Sequence, residues 1–427
     1  MRSAAPTSPA APDQRTTRPV RRLIPLLVGL VMVTPMATDA YLPGLPSLAA
    51  DLGTTDAGAQ LTLTTFMVGT AVGQVLAGPI SDGTGRRPLL VLGTCLFAAA
   101  GVLTALSPST GLLLAARALQ GLGGACGMVL ARAVVLDVTS GADTARVIGT
   151  MMAIVGLAPA LAPVLGGLLV DVVGWRGVLG LVAVVGIGLA AVVWARVPET
   201  LPPERRTPAG LGAVARNAGI VLGRTVYRRY LFTHVLTFTA MFTYVSSSSL
   251  VLQDDLGLSA RQYSLVFGSN ALGMTLFAFG SVQLFTRTRV GHRLLAGTGL
   301  ALSLTGATAL LALGLADAPL PALLVALWCA VAPTSMAMSN VAVLAAEQIR
   351  DYAGSGSAWQ GSLPFLAGAA IAPVLGALHA TAPVPMAAVM VTLLVCAVVM
   401  LTLARRAEAA LKAPAGARVE PGTSAAD

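Results

Sequence analysis

The sequence predicts an all-α membrane protein with twelve transmembrane helices arranged in two six-helix bundles. Three observations support this fold class: the chain is poor in charge, its apolar segments have the length of membrane spans, and its two halves resemble each other. Charged residues make up 11% of the 427 residues and hydrophobic residues 56%, and the mean hydropathy is +0.80. Soluble domains carry about 25% charged residues, so a soluble enzyme, a disordered protein and a nucleic-acid-binding domain are excluded.

Apolar segments separated by short loops recur along the chain, and about twelve are long enough to cross a bilayer, which takes about 20 residues of helix. They must be helices, because no water satisfies the backbone in the bilayer and the alternating pattern of a barrel strand is absent. The predicted spans are residues 23–47, 59–80, 88–107, 111–131, 147–170, 177–195, 230–252, 264–286, 294–314, 319–344, 356–379 and 384–404.

Basic residues indicate which side of the membrane each loop occupies. With both termini in the cytoplasm, all but three of the 27 Lys and Arg residues fall in cytoplasmic segments, as the positive-inside rule requires. The exceptions are Arg176 and Arg261 in outer loops and Arg117 inside the fourth span. Abundant Arg and Ala favour a GC-rich bacterial source, so the predicted location is the plasma membrane.

The only long polar segment divides the spans into two sets of six. Residues 1–20 are predicted to be a disordered N-terminal tail, 21–195 the N-terminal bundle, 196–229 a cytoplasmic linker, 230–406 the C-terminal bundle and 407–427 a disordered C-terminal tail. The second part of the linker is either a short helix on the inner membrane surface or a plain connection.

The two halves match at three equivalent places with a nearly constant offset. The pairs are APVLG at 162–166 and 372–376, GRR at 85–87 with GHR at 291–293, and DLG at 51–53 and 255–257. A duplicated six-helix unit explains all three matches. Two parallel repeats of this kind are typical of a transporter that binds its substrate between them, midway across the membrane.

Two charged residues lie within the hydrophobic depth, Asp39 in the first span and Arg117 in the fourth. An ionisable group there costs at least about 2.5–3.5 kcal/mol on insertion, so it faces the bundle interior and is a functional candidate. Asp39 is the predicted proton carrier, because it is the only acid placed within the membrane. The alternative is a fixed Asp39–Arg117 ion pair that holds the two spans together.

No cofactor, metal ion or nucleic acid is expected as a partner. The four cysteines lie in apolar stretches and the three histidines lack the spacing of metal ligands. The chain has no nucleotide-binding G-x-x-x-x-G-K-[ST] run and no paired nucleophile and base for an enzyme. We therefore expect a monomeric protein that is not an enzyme, with the lipid bilayer, protons and a small substrate as partners and the proton gradient as energy source.

The loop after the second span reads GPISDGTGRRP over residues 78–88. It resembles the signature of the major facilitator superfamily, G-x-x-x-D-R-x-G-R-R, with Gly83 where the family usually has arginine. The resemblance implies a twelve-helix major facilitator fold and a conformational latch at the cytoplasmic face. Anchoring by the positive charges alone is the alternative. The residues of the latch are Gly78 for close helix approach, Gly85 for a tight turn, Asp82 facing the N-terminus of span 11, and Arg86 and Arg87 pairing with Asp137.

Small residues recur along span 5, at Gly149, Ala158, Ala162, Pro163, Gly166 and Gly167. The pattern resembles the superfamily's antiporter motif, G-x8-G-x3-G-P-x2-G-G, with alanine at two glycine positions. The small residues of this motif allow neighbouring helices to pack closely, and its proline kinks the helix. The resemblance implies a gating helix that uses Gly149, Pro163, Gly166 and Gly167, and it favours export. Packing of small residues without a gating role is the alternative.

Three further segments are similar to the Bcr/CflA branch of drug:proton antiporters. They read TDAYLPGLPS at 38–47, RALQG at 117–121 and GWR at 174–176. This resemblance runs from about residue 20 to 405. It implies proton-coupled efflux of small lipophilic drugs or antibiotics by alternating access, with Asp39 and Arg117 in proton coupling. The alternative on the same fold is proton-coupled uptake of a small metabolite.

Polar and aromatic residues near mid-depth are the candidates for substrate contact. An apolar cavity with a few such groups suits amphipathic ligands bound with low specificity. Each of them taken singly is more often a packing or backbone-bonding residue. The candidates are Met36, Tyr41, Gln120, Tyr244 and Asn270.

Overall fold

The computed structural model describes residues 17–139, 141–155, 158–206, 211–288, 290–349, 351, 353–377 and 382–412, and these residues are almost entirely helical. Short 3-10 helices occur at Leu42–Gly44 and Pro203–Arg205, and a π-helix at Val251–Asp255. The α-helices are α1 (Thr17–Asp39), α2 (Leu45–Asp51), α3 (Asp56–Thr84), α4 (Arg86–Ala105), α5 (Thr110–Val138), α6 (Gly141–Val155), α7 (Ala158–Arg196), α8 (Leu211–Gly223), α9 (Thr225–Leu250), α10 (Ala260–Thr288), α11 (His292–Leu315), α12 (Leu320–Val331), α13 (Thr334–Glu347), α14 (Ala353–Ala377) and α15 (Pro383–Lys412).

Eleven described segments are long and apolar enough to cross a membrane, one fewer than the twelve predicted spans. The difference arises in α7, where Leu161–Arg196 counts as a single segment. The chain departs from helical geometry at Gly174, whose φ is 65°, a conformation that glycine adopts at little cost. This break separates the predicted fifth and sixth spans, so α7 contains the second part of the fifth span and all of the sixth, and α6 contains the first part of the fifth.

Prolines set several helix limits that differ from the predicted ones. The first span was predicted to reach residue 47, but α1 ends at Asp39 and the proline-containing 3-10 helix separates it from α2. The tenth span is divided into α12 and α13 just before and after Pro333, because proline has no N–H to continue the helical hydrogen bonds.

The tail boundaries also differ from the prediction. Helix α1 begins at Thr17 and α15 continues to Lys412, so both helices extend past the predicted limits at residues 21 and 406. Helix α8 occupies the second part of the linker, where the sequence left a short helix and a plain connection open. The remainder of both predicted tails lies outside the described residues.

The helices form two halves that meet along two pairs of helices. In the N-terminal half α3 and α4 pack on α5 and α4 packs on α7, while in the C-terminal half α9 and α11 pack on α15. The halves meet where α3 lies against α14 and where α7 lies against α10. We call the helix ends that carry Arg86 and Arg293 the arginine-rich face, and the ends that carry Asp51 and Asp255 the arginine-poor face.

Glycines allow α3 and α5 to approach backbone to backbone. A Cβ atom added at Gly69 would lie 2.0 Å from the carbonyl oxygen of Ala118, and one at Gly121 would lie 2.0 Å from that of Phe66. Helices in a bilayer associate mainly through such close van der Waals packing. This contact fixes the position of Arg117 within the N-terminal half, because the residue lies one turn before Gly121.

We expect Gly121→Ala to destabilise the protein by about 1–3 kcal/mol, because the added methyl group would overlap the backbone of α3. The measurement is the temperature at which the detergent-purified protein loses its monodisperse peak in size-exclusion chromatography. Gly188→Ala in α7 is the matched control, because a Cβ there meets none of the described atoms within 4 Å. If Gly121→Ala and Gly188→Ala lost the monodisperse peak at the same temperature, the close packing of α3 on α5 would be contradicted.

Candidate functional site

Arg117 is fully buried in α5, with its guanidinium between two aromatic rings. The guanidinium carbon lies 4.7 Å from the ring centroid of Tyr41 and 4.3 Å from that of Phe66. Its Nη1 donates a hydrogen bond of 2.8 Å to Oε1 of Gln120. Cation–π contacts in a desolvated site are worth about 2 kcal/mol, so the two rings offset part of the cost of burying this charge.

The donors of this cluster are only partly satisfied. Nε and Nη2 of Arg117 and Nε2 of Gln120 are buried without a hydrogen-bond partner in the described part of the chain. The hydroxyl of Tyr41, whose ring lies beside the guanidinium, is 2.7 Å from Oγ1 of Thr62. A buried donor without an acceptor costs about 1–3 kcal/mol. The cluster therefore favours the arrival of an anionic or carbonyl oxygen.

Asp39 is the last residue of α1 and is 8% exposed. None of the nitrogens of Arg117 lies within 4.0 Å of its carboxyl oxygens, so the fixed ion pair considered from the sequence is absent from this structure. Among the described residues, none donates a hydrogen bond to Asp39. The carboxyl group is thus held near Arg117 without being neutralised by it.

Three aromatic side chains of the C-terminal half form a cluster near Asp39. The side chains of Tyr244 in α9 and Tyr263 in α10 lie within electrostatic range of Asp39. Tyr244 stacks on Phe267 with ring centroids 5.3 Å apart, and the Tyr263 ring lies 5.9 Å from the same residue. This aromatic group and the acid come from different halves of the chain, so together they span the interface between the halves.

The predicted substrate residues fall into two groups. Tyr41 and Gln120 belong to the Arg117 cluster of the N-terminal half, and Met36 is partly buried against the main core. Tyr244 and Asn270 are buried in the C-terminal half, where the Asn270 amide donates to the carbonyl of Val266 at 2.9 Å. The structure thus places them on both sides of the interface between the halves.

Arg86 is the centre of a charged cluster at the arginine-rich face. Its Nη1 lies 2.5 Å from Oδ1 of Asp82, and its Nε donates to Oδ2 of Asp137 at 3.1 Å. Arg87 does not pair with Asp137 as the resemblance implied. Its Nη2 instead donates to the carbonyl of Trp194 at 3.0 Å, because Arg87 follows Arg86 on α4 and points to a different neighbour.

Two other latch residues also differ from what the resemblance implied. Asp82 pairs with Arg86 in its own half, its side chain is 42% exposed, and in the described residues it has no hydrogen bond or ion pair with α14. An added Cβ at Gly78 would meet none of the described atoms within 4 Å, so this glycine makes no close helix contact here. Gly85 does form a turn that favours glycine, with φ of 102°.

Glu199 is a member of this cluster that the sequence did not identify. Its carboxylate accepts hydrogen bonds from the backbone N–H groups of Arg86, Arg87, Thr200 and Leu201, at 2.9 to 3.3 Å. It therefore caps α4, whose first N–H groups have no partner within the helix. Burial raises the pKa of Glu199, but the four backbone donors lower it further, so its pKa lies below the ordinary value of 4.5. No local motif marks this residue, because folding brings it to α4 from the end of α7.

The C-terminal half contains a counterpart of the Arg86 cluster that is built around a histidine. Nδ1 of His292 lies 2.7 Å from Oδ1 of Asn340, whose Nδ2 donates to Oγ of Ser281 at 2.6 Å. His292 takes the place in the repeat that Arg86 has in the N-terminal half. The match of residues 85–87 with 291–293 was the signal in the sequence, but it did not reveal Asn340 as the partner.

The glycines of the predicted gating helix differ in their surroundings. A Cβ at Gly166 would lie 1.7 Å from the carbonyl oxygen of Ala40, and one at Gly167 would lie 1.8 Å from Oγ of Ser264. Pro163 is buried inside α7. At Gly149 an added Cβ meets none of the described atoms within 4 Å. Gly166 and Gly167 thus bring α7 against the end of the first span and against α10 of the other half.

The chain is a multi-pass helical membrane protein with a polar site between two repeated halves, which defines a transporter of small substrates. Its sequence matches the family model of the Major Facilitator Superfamily over residues 27–363. It is 32% identical to the Uncharacterized MFS-type transporter YdgK of Bacillus subtilis, over 86% of this chain and 90% of that protein. The chain therefore belongs to the Major Facilitator Superfamily, as the loop signature predicted.

Other relatives carry names that refer to drug resistance. The Bicyclomycin resistance protein homolog of Haemophilus influenzae is 30% identical over 84% of this chain and 89% of that protein. Multidrug resistance protein MdtL of Shigella flexneri is 31% identical over 59% of this chain and 63% of that protein. These relatives confirm the similarity to the Bcr/CflA branch.

Solved structures show the same fold at low sequence identity. The xylose transporter XylE from E. coli in a partially occluded inward-open conformation has a TM-score of 0.70, 12% identity and coverage of 92% of this chain and 100% of that one. The D-xylose-proton symporter has a TM-score of 0.69, 16% identity and coverage of 89% and 96%. These comparisons confirm the twelve-helix fold class.

We expect Glu199→Gln to lower the thermal midpoint at neutral pH, because an amide cannot hold the four backbone donors as strongly as a carboxylate. A lowered pKa in the folded state means that this contribution is complete above pH 4.5 and is lost as the pH falls through the lowered value. Thermal midpoints measured at decreasing pH from pH 7 should therefore become equal for wild type and variant once the pH is below the lowered pKa of Glu199. Exposed Glu347→Gln is the control, and a constant gap at all pH values would refute the assignment.

We expect Arg117→Lys to destabilise the protein by about 1–2 kcal/mol although it keeps the positive charge. Lysine lacks the planar face that stacks between Tyr41 and Phe66 and the fork that reaches Gln120. Thermal midpoints in detergent measure the effect, with the exposed Arg261→Lys as the matched control. A midpoint equal to that of the control would show that the aromatic enclosure does not stabilise the guanidinium.

Proposed function

We propose that the chain exports small lipophilic drugs or antibiotics from the cytoplasm in exchange for protons, by alternating access across the plasma membrane. The observation that carries the proposal is the buried carboxyl group of Asp39, which lies between the halves without an ion-pair partner. A membrane protein retains such a group at a cost of about 2.5–3.5 kcal/mol or more, and proton exchange is the role that explains it. The relatives named for bicyclomycin and multidrug resistance support drugs as the substrate class.

The packing of the halves supports a state that faces the cytoplasm. The close approach of Gly167 in α7 to Ser264 in α10 brings the two halves into contact toward the arginine-poor face. At the other face the Arg86 cluster bonds only within its own half, in the part of the chain that the structure describes. With both termini in the cytoplasm, as the positive-inside rule favours, the closed face is the outer one.

The transport cycle follows from the charges of the site. In the state that faces the cytoplasm, protonated Asp39 releases its proton to the cytoplasm and becomes ionised, and the drug enters between the halves. In the state that faces outward, a proton from outside neutralises Asp39 and the drug leaves. Arg117 supplies a constant positive charge beside the acid, so the site alternates between neutral and positive, and protonation weakens the binding of cationic drugs.

The side chains of the site come from both halves of one chain, and they favour amphipathic substrates and transport by a monomer. Tyr244 and Phe267 contribute buried aromatic side chains from the C-terminal half, and Asp39 and Arg117 contribute buried charged side chains from the N-terminal half. A single chain thus contributes both walls, so one copy suffices for transport. No cofactor is needed in this cycle, because the proton gradient supplies the energy.

Transport in liposomes tests the proposal, with bicyclomycin and the fluorescent cation ethidium as probes. A proton gradient that is acidic inside everted-orientation vesicles should drive uptake of a probe without ATP. Asp39→Asn should reduce this uptake to the level of empty liposomes, because asparagine cannot exchange a proton, whereas Asp171→Asn at an exposed position should not.

Normal proton-driven uptake by Asp39→Asn would show that another group carries the proton. Movement of the probe in the same direction as the proton would support uptake by symport, and transport of neither probe would exclude the proposed substrate class.

A further inference from the structure

The chain just after Asp39 exposes two backbone carbonyl groups to the other half. Residues Leu42–Gly44 form a 3-10 helix, and the carbonyl of Leu42 accepts the N–H of Leu45. In an α-helix this carbonyl would bond to the N–H of residue 46, but Pro46 has none. The carbonyl oxygen therefore keeps a lone pair for a partner outside its own segment.

That partner is a pair of side chains near the end of α9. Oγ of Ser249 donates to the carbonyl oxygen of Leu42 at 2.6 Å, and Nε2 of Gln253 donates to that of Pro43 at 3.2 Å. The two side chains also bond to each other, with Nε2 of Gln253 at 2.7 Å from Oγ of Ser249. Ser249 is fully buried. The interaction is thus a small network and not an isolated surface contact.

Gln253 owes its position to an unusual helical register. It lies in the π-helix Val251–Asp255, where the N–H of Leu256 bonds to the carbonyl of Val251 at 3.0 Å. Short π-helical turns are rare and occur often at functional sites. The wider turn at the end of α9 and the 3-10 helix after α1 are therefore two irregular segments that face each other across the interface.

These two hydrogen bonds are the ones that join the halves in the residues the structure describes. Among the described residues no ion pair joins one half to the other; Arg86–Asp82 and Arg293–Glu408, for example, each stay within one half. The bonds lie at the arginine-poor face, next to the close approach of Gly166 to Ala40. Leu42 lies three residues after Asp39, so the proton carrier and these bonds belong to one short stretch of chain.

We propose that Ser249 and Gln253 are positioning residues of an outer lock, formed by their bonds to the carbonyls of Leu42 and Pro43. The lock keeps the arginine-poor face closed and must open before a drug can leave on that side. A movement of residues 40–43 that accompanies protonation of Asp39 breaks both bonds. The lock therefore couples protonation of Asp39 to the opening of the arginine-poor face. This inference rests on the alternating access proposed above.

Distance measurements between spin labels test the lock directly. Cysteines replace the exposed residues Ala50 on α2 and Asp255 after α9, in a background in which the four native cysteines are replaced by serine. Ser249→Ala and Gln253→Leu each remove one bond between the halves. Each should raise the ratio of the open to the closed distance population about fivefold, as expected for loss of one neutral hydrogen bond.

A variant on the opposite half provides an independent test. Pro46→Ala restores an N–H group that competes with Ser249 for the carbonyl of Leu42, so it should shift the populations in the same direction. Ser248→Ala is the matched control, because the Ser248 hydroxyl lies 3.2 Å from the Tyr263 hydroxyl within its own half. Ser249→Thr keeps the hydroxyl group, so the distance distribution between its spin labels should equal that of the wild type.

The outcomes separate the lock from the proposed function. Wild-type distance distributions in Gln253→Leu and Pro46→Ala, in monodisperse protein, would overturn the lock, and so would an equal shift in Ser248→Ala. The measurement needs neither drug nor proton gradient. A shift in these variants combined with failure of the wild-type protein to transport would therefore refute the drug exchange and leave the lock intact.

Discussion

The structure depends on one physical constraint, the absence of water around a charge buried in the membrane. Arg117 cannot lose its charge, so its neighbours must make up for lost hydration. The rings of Tyr41 and Phe66 lie against its guanidinium group, and Gln120 accepts one of its hydrogen bonds. The glycine contacts between α3 and α5 bring these groups together. Asp39 remains near this cation without pairing to it, and this separation leaves the acid available to exchange a proton.

The sequence predicted the parts of the structure that follow from local pattern. Apolar length predicted the spans, and the glycine of the loop signature predicted the turn at Gly85. The missed features depend on contacts between residues distant in the chain. Glu199 meets α4 only after folding, and the partners of Gln253 are backbone carbonyls that carry no mark in the sequence.

The two repeated halves use the same positions in different ways. At the arginine-rich face the N-terminal half places two carboxylates around Arg86, whereas the C-terminal half places the hydrogen-bonded network of His292, Asn340 and Ser281. At the arginine-poor face the halves are bonded to each other through Ser249. The two halves thus share their helical arrangement but carry different polar groups around residues 86 and 292.

The most direct test of the central claim is proton release on drug binding. The purified protein is placed in a weakly buffered detergent solution with a pH-sensitive dye, and the transported probe is added. If drug and proton exchange at Asp39, binding should release protons from the wild-type protein and none from Asp39→Asn. Binding to the wild-type protein without proton release, or equal release from the variant, would contradict the role assigned to Asp39.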